Sequence, residues 1–95
     1  MDSSSPDPTA ALEQALQQFL GGDLADAERL CRDAAVGAPD VAAMRDNLLG
    51  HILAAQDRLP EAVECMRRAL QQTPDNAGGQ FNLGTALARL RAWSA

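Results

Sequence analysis

Leu24-Ala25-Asp26-Ala27, followed by Arg32, Ala34 and Pro39-Asp40, returns as Leu59-Pro60-Glu61-Ala62, followed by Arg67, Ala69 and Pro74-Asp75. The copies stand 35 residues apart throughout, from the alanines at 27 and 62 to the prolines at 39 and 74. One offset held over a whole segment marks a duplicated structural unit; chance alanine richness would not keep register. Periods of this size belong to stacked repeats, in which each unit needs a neighbour to bury its apolar face.

Working outward, the sequence predicts five helices. The first runs from Pro8 to about Leu20, with Asp7 as its cap and an apolar stripe of Leu12, Ala15, Leu16 and Phe19. Gly21-Gly22 ends it, because glycine accepts the left-handed conformation of a tight helix exit. Asp23 caps a second helix, Leu24 to about Val36, which Pro39 stops. Asp40 caps a third, reaching about Ala55 and carrying Leu48, Leu49, Ile52 and Leu53. The fourth has Pro60 in its first turn, buries Leu59, Ala62, Val63, Met66, Ala69 and Leu70, and ends near Gln72. Asp75 or Asn76 caps the fifth, which reaches about Arg91 with Leu83, Ala86, Leu87 and Leu90 inward. Short turns make these helices antiparallel hairpins, A1-B1, A2-B2 and a lone A3. Gly50 and Gly84 sit at one depth of A2 and A3, Ala15 takes that place in A1, and Ala27 and Ala62 match in the B helices. Small residues there let paired backbones approach closely.

Composition narrows the class. Ninety-five residues make one small domain, and 46% hydrophobic content with 3% aromatic implies a core fitted by close helix approach. Residues 1–8 are expected to form a disordered tail, lacking the basic and apolar stretches of a signal peptide. No apolar run approaches the roughly 20 residues that span a bilayer, so a membrane partner is not expected. The net charge is −5 and every basic residue is an arginine, spread along the chain, which argues against nucleic acid. Cys31 and Cys65 fall at nearly equivalent helix positions and read as small apolar residues, with a disulfide or reactive thiol as the alternative. Together these features favour the cytoplasm.

The residues resemble the tetratricopeptide repeat (TPR). The second unit carries Leu49-Gly50, Glu61-Ala62, Ala69 and Pro74; the third begins with Asn82-Leu83-Gly84. The first is more degenerate, with Gln14-Ala15, Gly22-Asp23, Asp26-Ala27, Ala34 and Pro39. The resemblance divides residues 9–95 into repeat one (9–40), repeat two (41–75) and a partial repeat (76–95). It implies an all-α solenoid, a right-handed superhelical stack of antiparallel hairpins with the A helices lining a concave side. On that side stand Asn47, His51 and Ala55 from A2 and Asn82, Thr85 and Arg89 from A3, grouped also by helical periodicity; Leu12, Leu16 and Leu20 would supply an apolar end. Amides there suit an extended peptide, whose backbone N–H and C=O groups they can pair. The alternative is that these are simply solvated face residues. The version of the family that clamps a peptide carboxylate needs groove lysines, and the chain has none.

Chemistry is sparse. His51 is the sole histidine, so a supported metal cluster or Ser-His-Asp arrangement is not expected. Glu61 and Glu64 are expected to form surface pairs with Arg67 or Arg68. The glycine pairs lack a phosphate-loop context. The reading is therefore a non-catalytic protein-interaction scaffold, without cofactor or metal, that takes a peptide or partner helix in the groove. Two alternatives stand beside it. One is a homodimer formed through the C-terminal helix by Leu87, Leu90 and Trp93, where a further hairpin would pack. The other is an N-terminal accessory segment of a larger bacterial enzyme such as a transferase. The arrest at Arg91-Ala92-Trp93-Ser94-Ala95 leads to the expectation that A3 is a terminal capping helix or that the chain is the front of a longer protein.

Overall fold

A computed structural model describes residues 8–34 and 37–94. Among the described residues are five α-helices and no strand: α1 Pro8–Leu20, α2 Leu24–Asp33, α3 Pro39–Ala55, α4 Leu59–Gln72 and α5 Ala77–Ser94. α1 pairs with α2 and α3 with α4; α2 against α3 joins the two hairpins, and α5 lies on α4. The stack measures 54 × 30 × 16 Å, thin enough that each helix keeps a face to water.

Both hairpins turn in the same way. At the end of α1, Asp23 N–H donates to Gln18 C=O at 2.9 Å and Gly22 N–H to Phe19 C=O at 3.1 Å. At the end of α3, Arg58 N–H donates to Leu53 C=O at 2.9 Å and Asp57 N–H to Ala54 C=O at 3.0 Å. This is the Schellman closure, which needs one residue in left-handed geometry. Gly22 supplies it at φ 93°, and Asp57, its counterpart 35 residues on, at φ 63°. The repeat period therefore survives in backbone conformation where the residue type changes.

Helix starts are set by side chains and prolines. Asp23 Oδ1 accepts from Asp26 N–H at 3.1 Å, and Asn76 Oδ1 from Gly79 N–H at 3.1 Å, satisfying first-turn donors. The expected cap at Asp40 is corrected: α3 begins at Pro39, and Asp40 lies in its first turn, accepting from Val41 N–H at 3.0 Å. Proline's fixed φ and missing N–H suit the first helical position, so Pro39 opens the next helix rather than only stopping the previous one. α2 is shorter than expected, ending at Asp33 with Ala34 extended at ψ 125°; Val36, residues 1–7 of the expected tail and the expected cap at Asp7 lie outside the described residues, while Pro8 opens α1.

The core runs along the α1–α4 seam. Leu12, Ala15, Ala27, Cys31, Leu49, Ile52, Leu53, Leu59 and Ala62 form one cluster, and Ile52 and Leu53 are fully sealed. Burying a side chain of that size contributes roughly 1.5–3 kcal/mol. Val63, Met66 and Ala86 form a second cluster, with Leu83, Leu87 and Leu90 half-buried against it. The expectation for Leu16 fails: it is 43% exposed, because among the described residues α1 packs against α2 and α3, on its other side. Gly50 is a point of close approach, since a Cβ there would meet Met66 Cγ at 2.8 Å and Ala62 O at 3.3 Å. Gly84 departs from that pattern, with nothing within 4 Å of a Cβ, because among the described residues no helix lies across it as α4 lies across α3. Cys31 and Cys65 are both free and buried. Burial pushes the Cys31 thiol up to about 11 and raises that of Cys65, so both stay protonated at neutral pH.

On the surface, Glu61 pairs with Arg58 rather than with Arg67 or Arg68. Arg58 Nε and Nη2 donate to the Glu61 carboxylate at 3.0 and 2.8 Å, while Nη1 reaches Glu28 at 2.9 Å and Gln56 at 2.8 Å. Arg58 precedes α4, so its side chain can wrap the first turn and still touch α2.

Candidate partner-binding groove

α3 and α5 stand side by side across α4, and their facing sides carry the residues grouped from helical periodicity. Asn47 and His51 line a cleft of about 420 Å3 with Met44, Thr73 and Asn76. His51 also lines a second cleft, of about 100 Å3, with Asn82, Thr85, Arg89 and the exposed ring of Phe81. His51 is thus the hinge of a continuous surface, and all of Asn47, His51, Asn82, Thr85 and Arg89 lie on it. Ala55 is exposed but lines neither cleft. Leu12 is buried in the core and cannot supply an apolar end; Leu16 and Leu20 are exposed on α1.

The polar groups of this surface differ in how far they are already engaged. Thr85 Oγ1 donates to Phe81 C=O at 3.0 Å within its own helix, leaving the hydroxyl's lone pairs to accept. Arg89 Nη2 stands 3.8 Å from Asp57 Oδ1, a loose pair between two exposed side chains. Asn47 Oδ1 is buried and has no hydrogen-bond partner among the described residues. Half-burial holds the His51 imidazole below its ordinary value, so it is neutral at pH 7 and offers one donor and one acceptor. Met44 and Phe81, 49% and 75% exposed, add apolar surface. Sequence reasoning passed over both, although Phe81 stands directly before Asn82.

Family comparison adds weight to this geometry. Residues 50–90, from the middle of α3 through most of α5, match the family model of the TPR repeat. This stretch of the chain is similar to a TPR repeat. Comparison with curated proteins and with solved structures gave no match. TPR repeats in general mediate protein–protein interaction, and the matched stretch takes in part of α3, all of α4 and most of α5.

The residues expected to mediate self-association are placed differently from one another. Leu87 and Leu90 are half-buried, Leu87 packing with Val63, Met66 and Ala86, and Leu90 touching both core clusters. The side chain of Trp93 lies outside the described residues. The open side of α5 is marked instead by Gly84 and Ala88. Among the described residues, no group of three or more His, Cys, Asp or Glu is placed to hold a metal ion. No described helix is long and apolar enough to cross a membrane.

Proposed function

We propose that this protein is a non-catalytic docking module that takes an extended peptide along the α3–α5 groove. The observation that carries the reading is the position of His51 between the two clefts. It joins Asn47 on one side to Asn82, Thr85 and Arg89 on the other in a single lining. Two amides, a neutral imidazole and a hydroxyl can meet the alternating N–H and C=O groups of a peptide without demanding a particular side chain. Arg89 gives one end a preference for an acidic residue or a carboxylate, and Met44 and Phe81 favour apolar residues.

The test is a random-peptide display selection on the whole chain, followed by titration of the selected sequences. Binding should be lost in the double variant Asn82→Ala, Arg89→Glu and kept in Arg29→Gln, whose partners are Asp26 and Asp33 on α2. Selected peptides that bind the double variant as tightly as the parent would remove the groove reading.

Self-association through α5 is a second reading, favoured by the empty space over Gly84 at the depth where Gly50 receives α4. Sedimentation equilibrium is expected to show a dimer that Gly84→Arg dissociates; a strict monomer at high concentration would end this reading.

A further inference from the structure

Outside the groove, arginines from three different helices line one cleft, and two of them flank a buried carboxylate. Arg32 of α2, Arg45 of α3 and Arg68 of α4 line a cleft of about 180 Å3 together with Asp46 and Leu49. Asp46 is 1% exposed, and a carboxylate that deep must be paired. Its partners nevertheless stand off. Arg45 Nη2 is 3.4 Å from Oδ1, Arg68 Nη2 is 3.8 Å from it, and Gln72 Nε2 is 3.4 Å from Oδ2. Charge-assisted contacts of this type close to about 2.7–2.9 Å when nothing holds them apart. Here the guanidiniums are anchored on separate helices, and they surround a space rather than collapse onto the acid. Arg45 Nε is buried without a hydrogen-bond partner. Arg68 Nη2 also points to Cys65 Sγ at 3.2 Å, and Arg32 uses Nε on Glu28 at 2.9 Å, so most of their donors are uncommitted to carboxylates.

We propose that this α2–α3–α4 cleft binds a phosphate-class dianion, either free or carried on a phosphorylated side chain. The charge balance favours it: three guanidiniums against Asp46 and the Glu28 that pairs with Arg32 leave one positive charge, in a chain whose net charge is −5. So does the geometry. A planar carboxylate is satisfied by a single bidentate arginine, whereas donors arriving from three helices suit a tetrahedral oxyanion with several acceptor oxygens. The acids nearest the site are Glu28, which is held by Arg32 and Arg58, and Glu61 and Glu64. The last two line the adjoining cleft on the far side of Arg32 and Arg68. Neither Asn47 nor His51 lines this cleft, so the proposal stands or falls apart from the groove.

The experiment is an NMR titration of the arginine side-chain N–H signals of the full chain. Sodium phosphate and N-acetyl-phosphoserine amide are the two ligands, with sodium chloride at matched ionic strength as the reference. Saturable shifts at Arg45 and Arg68 with either phosphate ligand, absent with chloride, are expected. Tighter binding of the phosphoserine probe assigns a modified side chain as the source; equal binding assigns the free ion. Arg68→Gln should weaken binding by about tenfold, as loss of one charge-assisted contact implies. Asp46→Asn should tighten it by removing the competing negative charge. Should Asp46→Asn fail to fold, Arg32→Gln, at an exposed position, supplies the second measurement and should weaken binding with unchanged circular dichroism. No saturable shift with either phosphate ligand, or equal shifts with chloride, would overturn the proposal.

Discussion

Gly50 and Gly84 hold equivalent places in α3 and α5, yet a Cβ on Gly50 would stand 2.8 Å from Met66 Cγ while one on Gly84 would meet nothing within 4 Å. The same residue type thus answers a packing need in one helix and none in the other. Gly50→Ala would force Met66 and the Ala62 carbonyl, 3.3 Å away, to shift. Overpacking of this kind costs about 1–3 kcal/mol, against a helix-propensity gain of about 1 kcal/mol. The expected outcome is net destabilisation. Gly84→Ala collects only the gain and should stabilise by about 0.5–1 kcal/mol. Urea unfolding with an unchanged m-value checks both. Changes of the same sign would contradict the asymmetry.

Asp57 carries a left-handed strain that Gly22, its counterpart in the first hairpin, avoids. A non-glycine residue there costs of order 1 kcal/mol unless its side chain makes up the difference. The side chain of Asp57 has only the 3.8 Å approach to Arg89, at an exposed site where such pairs contribute little. Asp57→Gly should therefore raise stability by about 0.5–1 kcal/mol, and Asp57→Val should lower it by more than that. A shift in the urea midpoint measures each.

Much of the fold was legible because the duplicated alanines, glycines and prolines are small or rigid residues whose roles are local. The turn at Gly22, the cap at Asp23 and the α3 and α4 stripes follow from neighbouring residues alone. Pro39 was ambiguous because a proline both ends one helix and begins another; only the packing of α3 decides which. The exposure of Leu16 depends on α1 having no outer neighbour among the described residues, which no local pattern reveals. The groove residues were legible as helix faces, since spacing within α3 and α5 settles which side they share. The arginine cleft was not, because its members come from three helices and are scattered in sequence. Its one signal was Asp46, a charged residue at i−3 and i−7 from Leu49 and Leu53, in the buried stripe of α3.

Arg58 ties the two hairpins electrostatically, bonding Glu28 of α2 and Glu61 of α4 from the turn between α3 and α4. With 38% of the Arg58 side chain exposed, solvent screening keeps the contribution of the network small. Arg58→Ala should lower the urea midpoint modestly at pH 7. Arg58→Lys should recover only part of that loss, because an ammonium cannot reproduce the forked contact with Glu61. The hydrogen bond from Arg58 holds the Glu61 carboxyl below its ordinary value. For Glu28, burial pushes upward, but hydrogen bonds with Arg32 and Gln56 and the charge of Arg58 bring the net shift down. Carboxylates lowered on folding contribute above their unfolded value near 4.5 and lose that contribution as pH falls. The difference between parent and Arg58→Ala should accordingly shrink between pH 6 and pH 3, roughly the span in which these carboxyls take up protons. A constant difference across that range would assign the effect of Arg58 to packing.

His51 offers a pH readout in a separate window. Burial lowers its imidazole below the ordinary 6.5, so the unfolded chain takes up a proton before the folded one does. Stability is then fully present above pH 6.5 and falls as the solution is acidified through and below that value. The charges that line the clefts with His51 are Arg89 of α5 and Asp40 of α3. Neither is among the causes of the shift, which is desolvation. His51→Gln keeps a polar group of similar reach without a titrating proton, and should flatten stability between pH 7 and the onset of carboxylate titration. A peptide seated along Asn47, His51 and Asn82 would deepen the burial, so the His51 ring signals should titrate at still lower pH in its presence. NMR titration of the imidazole with and without a groove-selected peptide measures this directly; an unmoved midpoint at saturating peptide would place the peptide elsewhere on the molecule.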